Sequence, residues 1–83
     1  MKPNQMEPNN LDEMIVEVAY ALPSEQLIVP IKVSKGITAE QAIKASGIMR
    51  KFPEIDLAIN QIGIFGKLSK LDVPLRHLDR VEI

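Results

Sequence analysis

The sequence predicts an α+β domain in which a mixed sheet of four to five strands carries one helix on one face. Three observations predict this class. Two segments of alternating apolar residues come first, a segment with a helix-capping pattern follows, and shorter alternating segments end the chain. Because helical and strand patterns do not alternate along the chain, a doubly wound parallel sheet is excluded.

Length and composition limit the chain to one domain without covalent cross-links. A chain of 83 residues buries only about 60–65% of its unfolded surface, which is too little to divide between two cores. The sequence has no cysteine, so disulfides and thiolate metal sites are excluded. No apolar run approaches the roughly 20 residues that cross a bilayer. We therefore expect a soluble, cytoplasmic protein without membrane insertion.

The first residues differ in composition from the rest. Residues 1–12 contain two prolines and three asparagines and little that could enter a core, so they are assigned to a flexible tail. Residues 13–83 are assigned to the folded domain.

Two alternating segments at the start of the domain predict a β-hairpin. From Met14 to Leu22 one face is apolar and Glu17 points the other way. Residues 23–25 are a turn signal, and residues 26–33 alternate again. Pro30 has no N–H for a ladder hydrogen bond, so the second strand is predicted to lie at an edge of the sheet.

The segment after this hairpin predicts the helix. Thr38 and Gln41 match a capping box, and Gly47 matches a C-cap, so we expect a helix of about ten residues. Glu40 and Lys44 form an i,i+4 pair on its solvent side. The stripe predicted to face the sheet consists of Ala42, Ile43 and Ser46.

The second half of the chain predicts an irregular connection and short strands. Phe52, Ile55 and Leu57 are expected to close the open end of the core. Residues 61–65 and 67–71 read as a hairpin with Gly66 in its turn, and residues 80–83 alternate as a last strand. Parallel pairing of the first and last strands at the sheet centre gives the β-grasp topology.

The residues favour binding over catalysis. Alternation places Ile62 and Ile64 inward and leaves Phe65 on the solvent side, beside Lys67 and Lys70. Aromatic residues are enriched in interface hot spots, so Phe65, Lys67 and Lys70 are the predicted contact site for a protein partner. The alternative is that Phe65 packs back over its own hairpin.

No catalytic, metal or cofactor site is predicted. His77 is the single histidine, which excludes a multi-histidine metal site, and we interpret it as a solvated turn residue. The carboxylates of Glu54 and Asp56 lie in a loop segment without an obvious cleft. Ten basic residues against eleven acidic ones give a net charge of -1, which disfavours nucleic acid as a partner.

Five blocks of the sequence resemble, in order and in spacing, the RnfH family. The resemblance spans residues 14–83. Its blocks are Val16 to Pro23, Gln41-Ala42-Ile43 with Ser46-Gly47-Ile48, Phe52 to Leu57, Gly63 to Lys67, and Leu75-Arg76 with Asp79 to Ile83.

The resemblance implies a ubiquitin-like β-grasp fold and a non-enzymatic interaction module without established catalytic or binding residues. Members are named for a gene position near an Rnf electron-transport operon. Elsewhere they neighbour a toxin-like gene and carry the label RatB, an antitoxin candidate. The fold is similar to that of the sulfur carriers of thiamine and molybdopterin synthesis. A carrier role is the alternative function, disfavoured because the sequence ends in Val81-Glu82-Ile83 without a C-terminal Gly-Gly.

The sequence departs from the family pattern in three places. It has the N-terminal tail, and it stops at Ile83 where relatives continue with a Tyr-Arg-Pro-Leu-like segment. His77-Leu78 stands where relatives commonly have Asp-Gly. Because a leucine with positive φ costs about 1 kcal/mol or more, we expect the turn before the last strand to take another shape. The identity of the partner and the oligomeric state are not readable from the sequence.

Overall fold

The computed structural model describes residues 12–83. They form one mixed sheet with two helices on one face. The flexible tail predicted for residues 1–12 lies, apart from Asp12, outside the described residues. The elements are β1 (Glu13–Ala21), β2 (Gln26–Ser34), α1 (Ala39–Ser46), α2 (Ile48–Lys51), β3 (Ile62–Ile64), β4 (Lys67–Ser69) and β5 (Arg80–Glu82).

The sheet has five strands in the order β2-β1-β5-β3-β4. Strands β1 and β5 pair in parallel, with Glu17 opposite Arg80 and Val18 opposite Val81, and the other neighbouring strands are antiparallel. The predicted parallel pair and the predicted edge position of β2 are both confirmed. Pro30 is tolerated there because the missing N–H interrupts no ladder inside the sheet.

The core lies between the sheet and the two helices. Strands β1 and β5 contribute valines to it because alternate residues of a strand point to the same face. No polar or charged side chain is buried within the described residues. Burial of apolar area is therefore the main stabilising term of the fold. The largest fully buried side chains are Ile43, Ile48, Val16, Val18 and Val81.

Helix α1 has the caps that the sequence predicts. The Thr38 side chain accepts the Gln41 N–H, and the Gln41 side chain accepts the Thr38 N–H, which completes the capping box. Glu40 and Lys44 form the expected ion pair at 3.2 Å. The helix ends after eight residues at Gly47, whose φ of 77° is in the left-handed region.

The short helix α2, from Ile48 to Lys51, was not predicted. Ser46 links the two helices, because its hydroxyl donates to the Ile43 carbonyl at 2.6 Å and accepts the Ile48 N–H at 3.2 Å. The chain therefore turns at Gly47 and begins a new helical turn that buries Ile48. Four residues contain too little periodicity to be recognised as a helix in a sequence.

The connection between α2 and β3 is tied to β1 through Tyr20. The rings of Tyr20 and Phe52 lie 5.0 Å apart, and the Tyr20 hydroxyl donates to Glu54 Oε2 at 2.9 Å. The hydrogen bond to this carboxylate, together with burial and the carboxylate charge, raises the pKa of Tyr20 above its ordinary value. Ile55 is buried, and Phe52 and Leu57 pack against the core, as predicted.

The turn before β5 corrects one expectation. Leu78 has a φ of 72°, so it keeps the left-handed conformation instead of the different turn shape that we expected. The reason is the docking of the turn on β1. The Leu78 N–H donates to the Ile15 carbonyl at 2.6 Å, and the Ile15 N–H donates to His77 Nδ1 at 3.1 Å. His77 is exposed but is thus a hydrogen-bond acceptor for β1 and not merely solvated.

We expect Leu78→Asn to stabilise the protein by about 0.5–1 kcal/mol, because asparagine tolerates the left-handed conformation better than leucine does. Leu78 is 62% exposed, so little burial is lost. The melting temperature should rise by about 2–6 °C in a thermal unfolding experiment. The matched control is Leu68→Asn in β4, where asparagine is disfavoured and stability should fall slightly. Equal effects of the two substitutions would contradict the assignment of strain to Leu78.

The raised pKa of Tyr20 predicts a shifted alkaline titration. The folded state holds the phenolic proton more tightly than the unfolded chain does, so this stabilisation is complete below the ordinary pKa of 10.0 and is lost as the pH rises through the raised pKa. Tyr20 is the single tyrosine, so tyrosinate absorbance reports it alone. Glu54→Gln should move the midpoint down toward the ordinary value. Glu40→Gln should leave it in place, and an unmoved midpoint in Glu54→Gln would disprove the link.

Candidate functional site

The face of the sheet opposite the helices, here called the outer face, is exposed toward its two edges, whereas Ala19 on β1 is fully buried. One row of residues crosses all five strands, because Ala19 pairs with both Ile28 and Glu82, and Gly63 pairs with both Glu82 and Leu68. Alternation sends the side chains of this row away from the core valines. Gly63 has no side chain there, and a Cβ at this position would lie 3.0 Å from the Lys67 carbonyl oxygen.

An ion pair lies in the neighbouring row of the outer face. Glu17 pairs with Pro30 on one side and with Arg80 on the other. Arg80 Nε donates to Glu17 Oε1 at 2.8 Å, and both side chains are about one third exposed. An ion pair of this exposure contributes little stability but fixes the orientation of the guanidinium group.

The β3–β4 turn places Phe65 next to this row. Ile64 pairs with Lys67, so the loop consists of Phe65 and Gly66 alone. Both have positive φ, 50° for Phe65 and 82° for Gly66, as the type I′ hairpin turn requires. The Phe65 N–H donates to the Arg80 carbonyl at 3.2 Å.

The acidic side chain of the outer row holds the same turn. The Gly66 N–H donates to Glu82 Oε1 at 2.9 Å. The turn is therefore fixed to strand β5 at two consecutive amide groups, those of Phe65 and Gly66. The backbone from which the Phe65 side chain projects is therefore held in place with respect to the sheet.

The structure changes the reason for the exposure of Phe65. Alternation along a strand predicted a solvent-facing aromatic ring, whereas Phe65 lies in the turn after β3. Its side chain is 60% exposed, and it is not among the residues that pack against the core. Phe65 is therefore no part of the core, and both interpretations, as a partner contact and as a side chain that packs over its own hairpin, stay predictions.

The two predicted lysines take different positions on this hairpin. Lys67 lies opposite Ile64, so its side chain starts from the same face of the sheet as that core residue. Lys70 follows the end of β4 at Ser69. Both lysines are exposed. The hairpin therefore presents its charges around the apolar tip and not on a single face.

Sequence reasoning missed Leu68, the most exposed residue of the outer row. Leu68 is 75% exposed and lies opposite Gly63. The signal in the sequence is a lone leucine between Lys67 and Ser69 in a segment too short for alternation to assign a face. We call Phe65, Leu68, Lys67 and Lys70 the hairpin patch.

Other chemistry-bearing residues are spread over the surface. In the part of the chain that the structure describes, no cluster of three or more potential metal ligands occurs. Arg80 is engaged with Glu17, and the Lys51 ammonium lies 5.9 Å from the centre of the Phe52 ring. Over residues 12–83, no helix is long and apolar enough to span a bilayer.

A five-stranded mixed sheet of this order, with its helix on one face, places the protein in the ubiquitin-like β-grasp class. The family model described as "RnfH family Ubiquitin" matches residues 14–83. The chain therefore belongs to the RnfH family of ubiquitin-like proteins.

Bacterial relatives are similar over most of the chain. A UPF0125 protein of Vibrio cholerae is 50% identical over 72 residues, which are 86% of this chain and 71% of the relative. Protein RnfH of Cereibacter sphaeroides is 51% identical over 70 residues, 84% of this chain and 82% of the relative. Protein RnfH of Paraburkholderia xenovorans is 48% identical over 82% of this chain, which spans 62% of that relative.

A solved structure has the same fold. Protein HI0395 of Haemophilus influenzae is 45% identical and superimposes with a TM-score of 0.61, over 88% of this chain and 91% of the other. That protein crystallised as a three-dimensional domain-swapped dimer.

We expect Glu82→Ala to loosen the β3–β4 turn, because it removes the acceptor of the Gly66 N–H. The free energy of unfolding should fall by about 0.5–1.5 kcal/mol, and the Gly66 amide should exchange faster with deuterium. Glu82→Gln keeps an acceptor oxygen at the same position and is the matched control. If the alanine and glutamine variants exchange at the same rate, the hydrogen bond does not hold the turn.

Proposed function

We propose that the protein is a non-enzymatic, cytoplasmic interaction module that binds a partner protein through the hairpin patch. The observation that carries this proposal is the conformation of Phe65. A large aromatic residue stands 60% exposed at a φ of 50°, where asparagine or glycine would be less strained. Residues in strained backbone conformations cluster at functional sites. Local stability does not explain an exposed phenylalanine at this position, which supports a role in binding.

A second residue has the same combination of properties. Leu78 is 62% exposed with a φ of 72°, and within residues 12–83 it and Phe65 are the non-glycine residues with positive φ. Phe65 neighbours Arg80 through a backbone hydrogen bond, and Leu78 precedes Arg80 by two positions. Phe65 and Leu78 thus lie in different turns, and both turns are connected to strand β5 through the backbone.

The patch is suited to binding because its tip is held before a partner arrives. The amides of Phe65 and Gly66 are both bonded to strand β5, to the Arg80 carbonyl and to the Glu82 carboxylate. A turn whose backbone is already ordered loses less conformational entropy when an interface forms. Exposed aromatic residues are enriched among the anchors of interface hot spots.

The lysines define the chemistry of the partner. Among the described residues neither Lys67 nor Lys70 is part of an ion pair. Free ammonium groups around an apolar tip fit a partner with an apolar pocket and an acidic rim, since charge complementarity speeds association and fixes orientation. We therefore expect binding to weaken at high salt.

The test is Phe65→Asn, which separates binding from stability. The substitution creates Asn-Gly, the favoured type I′ dipeptide, so the fold should gain about 0.5–1 kcal/mol. Binding should weaken by about 30-fold or more, because the aromatic anchor is lost. Affinity capture from an extract of the native bacterium, compared quantitatively with the parent protein, identifies the partner, and calorimetry with that partner measures the change in affinity.

The matched control is Ile59→Asn, which removes an exposed apolar side chain elsewhere. Ile59 is 78% exposed and lies in the connection before β3, outside the sheet. The same partner should be recovered with this variant as with the parent. Undiminished capture by Phe65→Asn would refute the hairpin patch as the contact site. Light scattering on each variant is required too, because domain swapping as in the Haemophilus relative would double the sites per particle.

A further inference from the structure

A groove lies on the other side of the molecule, between the edge strand β2 and helix α1. It has a volume of about 420 Å³ and is open to solvent along its length. Its apolar surface comes from Val33, Ile37 and Ala45, and Gln41 of α1 closes one wall. The remaining lining belongs to the end of β2 and the turn after it, residues 32 and 34–36.

The backbone of β2 faces this groove with unpaired hydrogen-bonding groups. The Leu22 N–H donates to the Glu25 carbonyl and the Lys35 N–H donates to the Asp12 carbonyl, both at 2.7 Å, so the odd-numbered residues of this strand point their backbone groups toward β1. The even-numbered residues point theirs to the free edge. Next to the groove these are the Lys32 N–H and carbonyl, the Pro30 carbonyl and the Ser34 N–H.

Among residues 12–83, most of the acceptors and donors at this edge have no partner. The Ser34 carbonyl already accepts the Ile37 N–H at 3.2 Å, and Pro30 has no N–H to offer. Lys32 retains both its N–H and its carbonyl, because no strand of the described residues lies beyond β2 in the sheet. A strand that pairs here would align beside residues 30–34, with the groove under one of its faces.

The charges beside the groove are positive. Over residues 12–83, neither Lys32 nor Lys35 takes part in an ion pair. The nearest carboxylate on α1, Glu40, is neutralised by Lys44 at 3.2 Å. An acidic ligand would therefore meet two ammonium groups that form no ion pair, although Glu13 lies opposite Ser34 on the neighbouring strand.

We propose that the β2 edge binds an extended acidic peptide segment of a partner by strand addition, independently of the hairpin patch. An added strand sends alternate side chains to opposite faces. Apolar side chains of the segment fill the groove over Val33 and Ile37. Its acidic side chains, on the other face, lie beside Lys32 and near Lys35. The ligand is thus a segment that alternates apolar and acidic residues.

A second copy of this chain fits the same edge poorly. Symmetric antiparallel pairing about Pro30 would place two residues without an N–H opposite each other, which removes both hydrogen bonds of that pair. Symmetric pairing about Lys32 would place two ammonium groups opposite each other, and like charges in directly opposite positions are destabilising. Charge therefore favours an acidic segment over self-association.

The probe is a fluorescein-labelled peptide of eight residues that alternates isoleucine with aspartate. Its binding is measured by fluorescence anisotropy and by amide shifts of the ¹⁵N-labelled full chain. We expect saturable binding, with the largest shifts at Lys32 and Ser34 and small shifts at Phe65 and Gly66. The double variant Lys32→Glu/Lys35→Glu should weaken binding by about tenfold or more. A peptide with lysine in place of aspartate should not bind.

The matched control is Lys67→Glu/Lys70→Glu, which makes the same charge change on the hairpin patch and should bind the peptide as the parent does. Equal weakening in both double variants would show general charge attraction and would overturn the proposal. It would also be overturned by a lack of saturable binding, or by β2 shifts that depend on protein concentration alone and so reveal a second copy. Loss of capture in Phe65→Asn bears on the hairpin patch only, so the two surfaces succeed or fail separately.

Discussion

The parallel pairing of β1 with β5 is the constraint on which the rest of the structure depends. It joins Glu17 to Arg80, residues that are 63 positions apart, and it buries Val18 and Val81 completely. Parallel strands cannot be joined by a tight turn, so the chain between them has to include one segment that crosses over a face of the sheet. Helix α1 makes this crossing. Its buried Ile43 belongs to the same core cluster as Val18 and Val81, so the helix covers the face of the sheet to which these valines point. The position of every other strand follows from this arrangement.

With β1 and β5 in the centre, the two free edges are β2 and β4, at opposite ends of the sheet. Free edges invite pairing with other chains, and proteins limit this with proline, charge or short strands. Strand β4 has three residues, which leaves little edge to pair. Strand β2 has nine residues, and Pro30 at its middle has no N–H to donate at the free edge. The segment after Pro30 is left as an edge that is open, positively charged and next to an apolar groove.

The features that the sequence predicts well are those decided by neighbouring residues. Alternation over nine residues in β1 and β2 assigns a face to each side chain, and the Thr38–Gln41 capping box marks the start of α1 within one turn. The parallel pair of β1 and β5 was predictable too, because the order of elements leaves few ways to cover an apolar face.

The features that escaped prediction depend on contacts between distant parts of the chain. Phe65 was assigned to a strand because alternation continues through Ile62 and Ile64, yet a two-residue turn that bonds to Arg80 and Glu82 ends the strand before it. Leu78 keeps its positive φ because its N–H bonds to Ile15, a residue that lies far away in the sequence. Phe65, Lys67 and Lys70 were thus selected by residue type, Leu68 was missed, and the geometry of the hairpin required the tertiary structure.

The conflict between local preference and native conformation is confined to the surface. The caps of α1, the edge proline and the alternation of β1 all agree with the fold, as expected of a sequence that specifies one structure. Phe65 and Leu78 do not agree with it, because each is a large apolar residue at a backbone position suited to asparagine or glycine. Neither side chain stabilises the core enough to offset this, since both are more than half exposed. The presence of Phe65 is explained if its side chain becomes buried against a second molecule, which ties the strain in its turn to the recognition proposed for the hairpin patch.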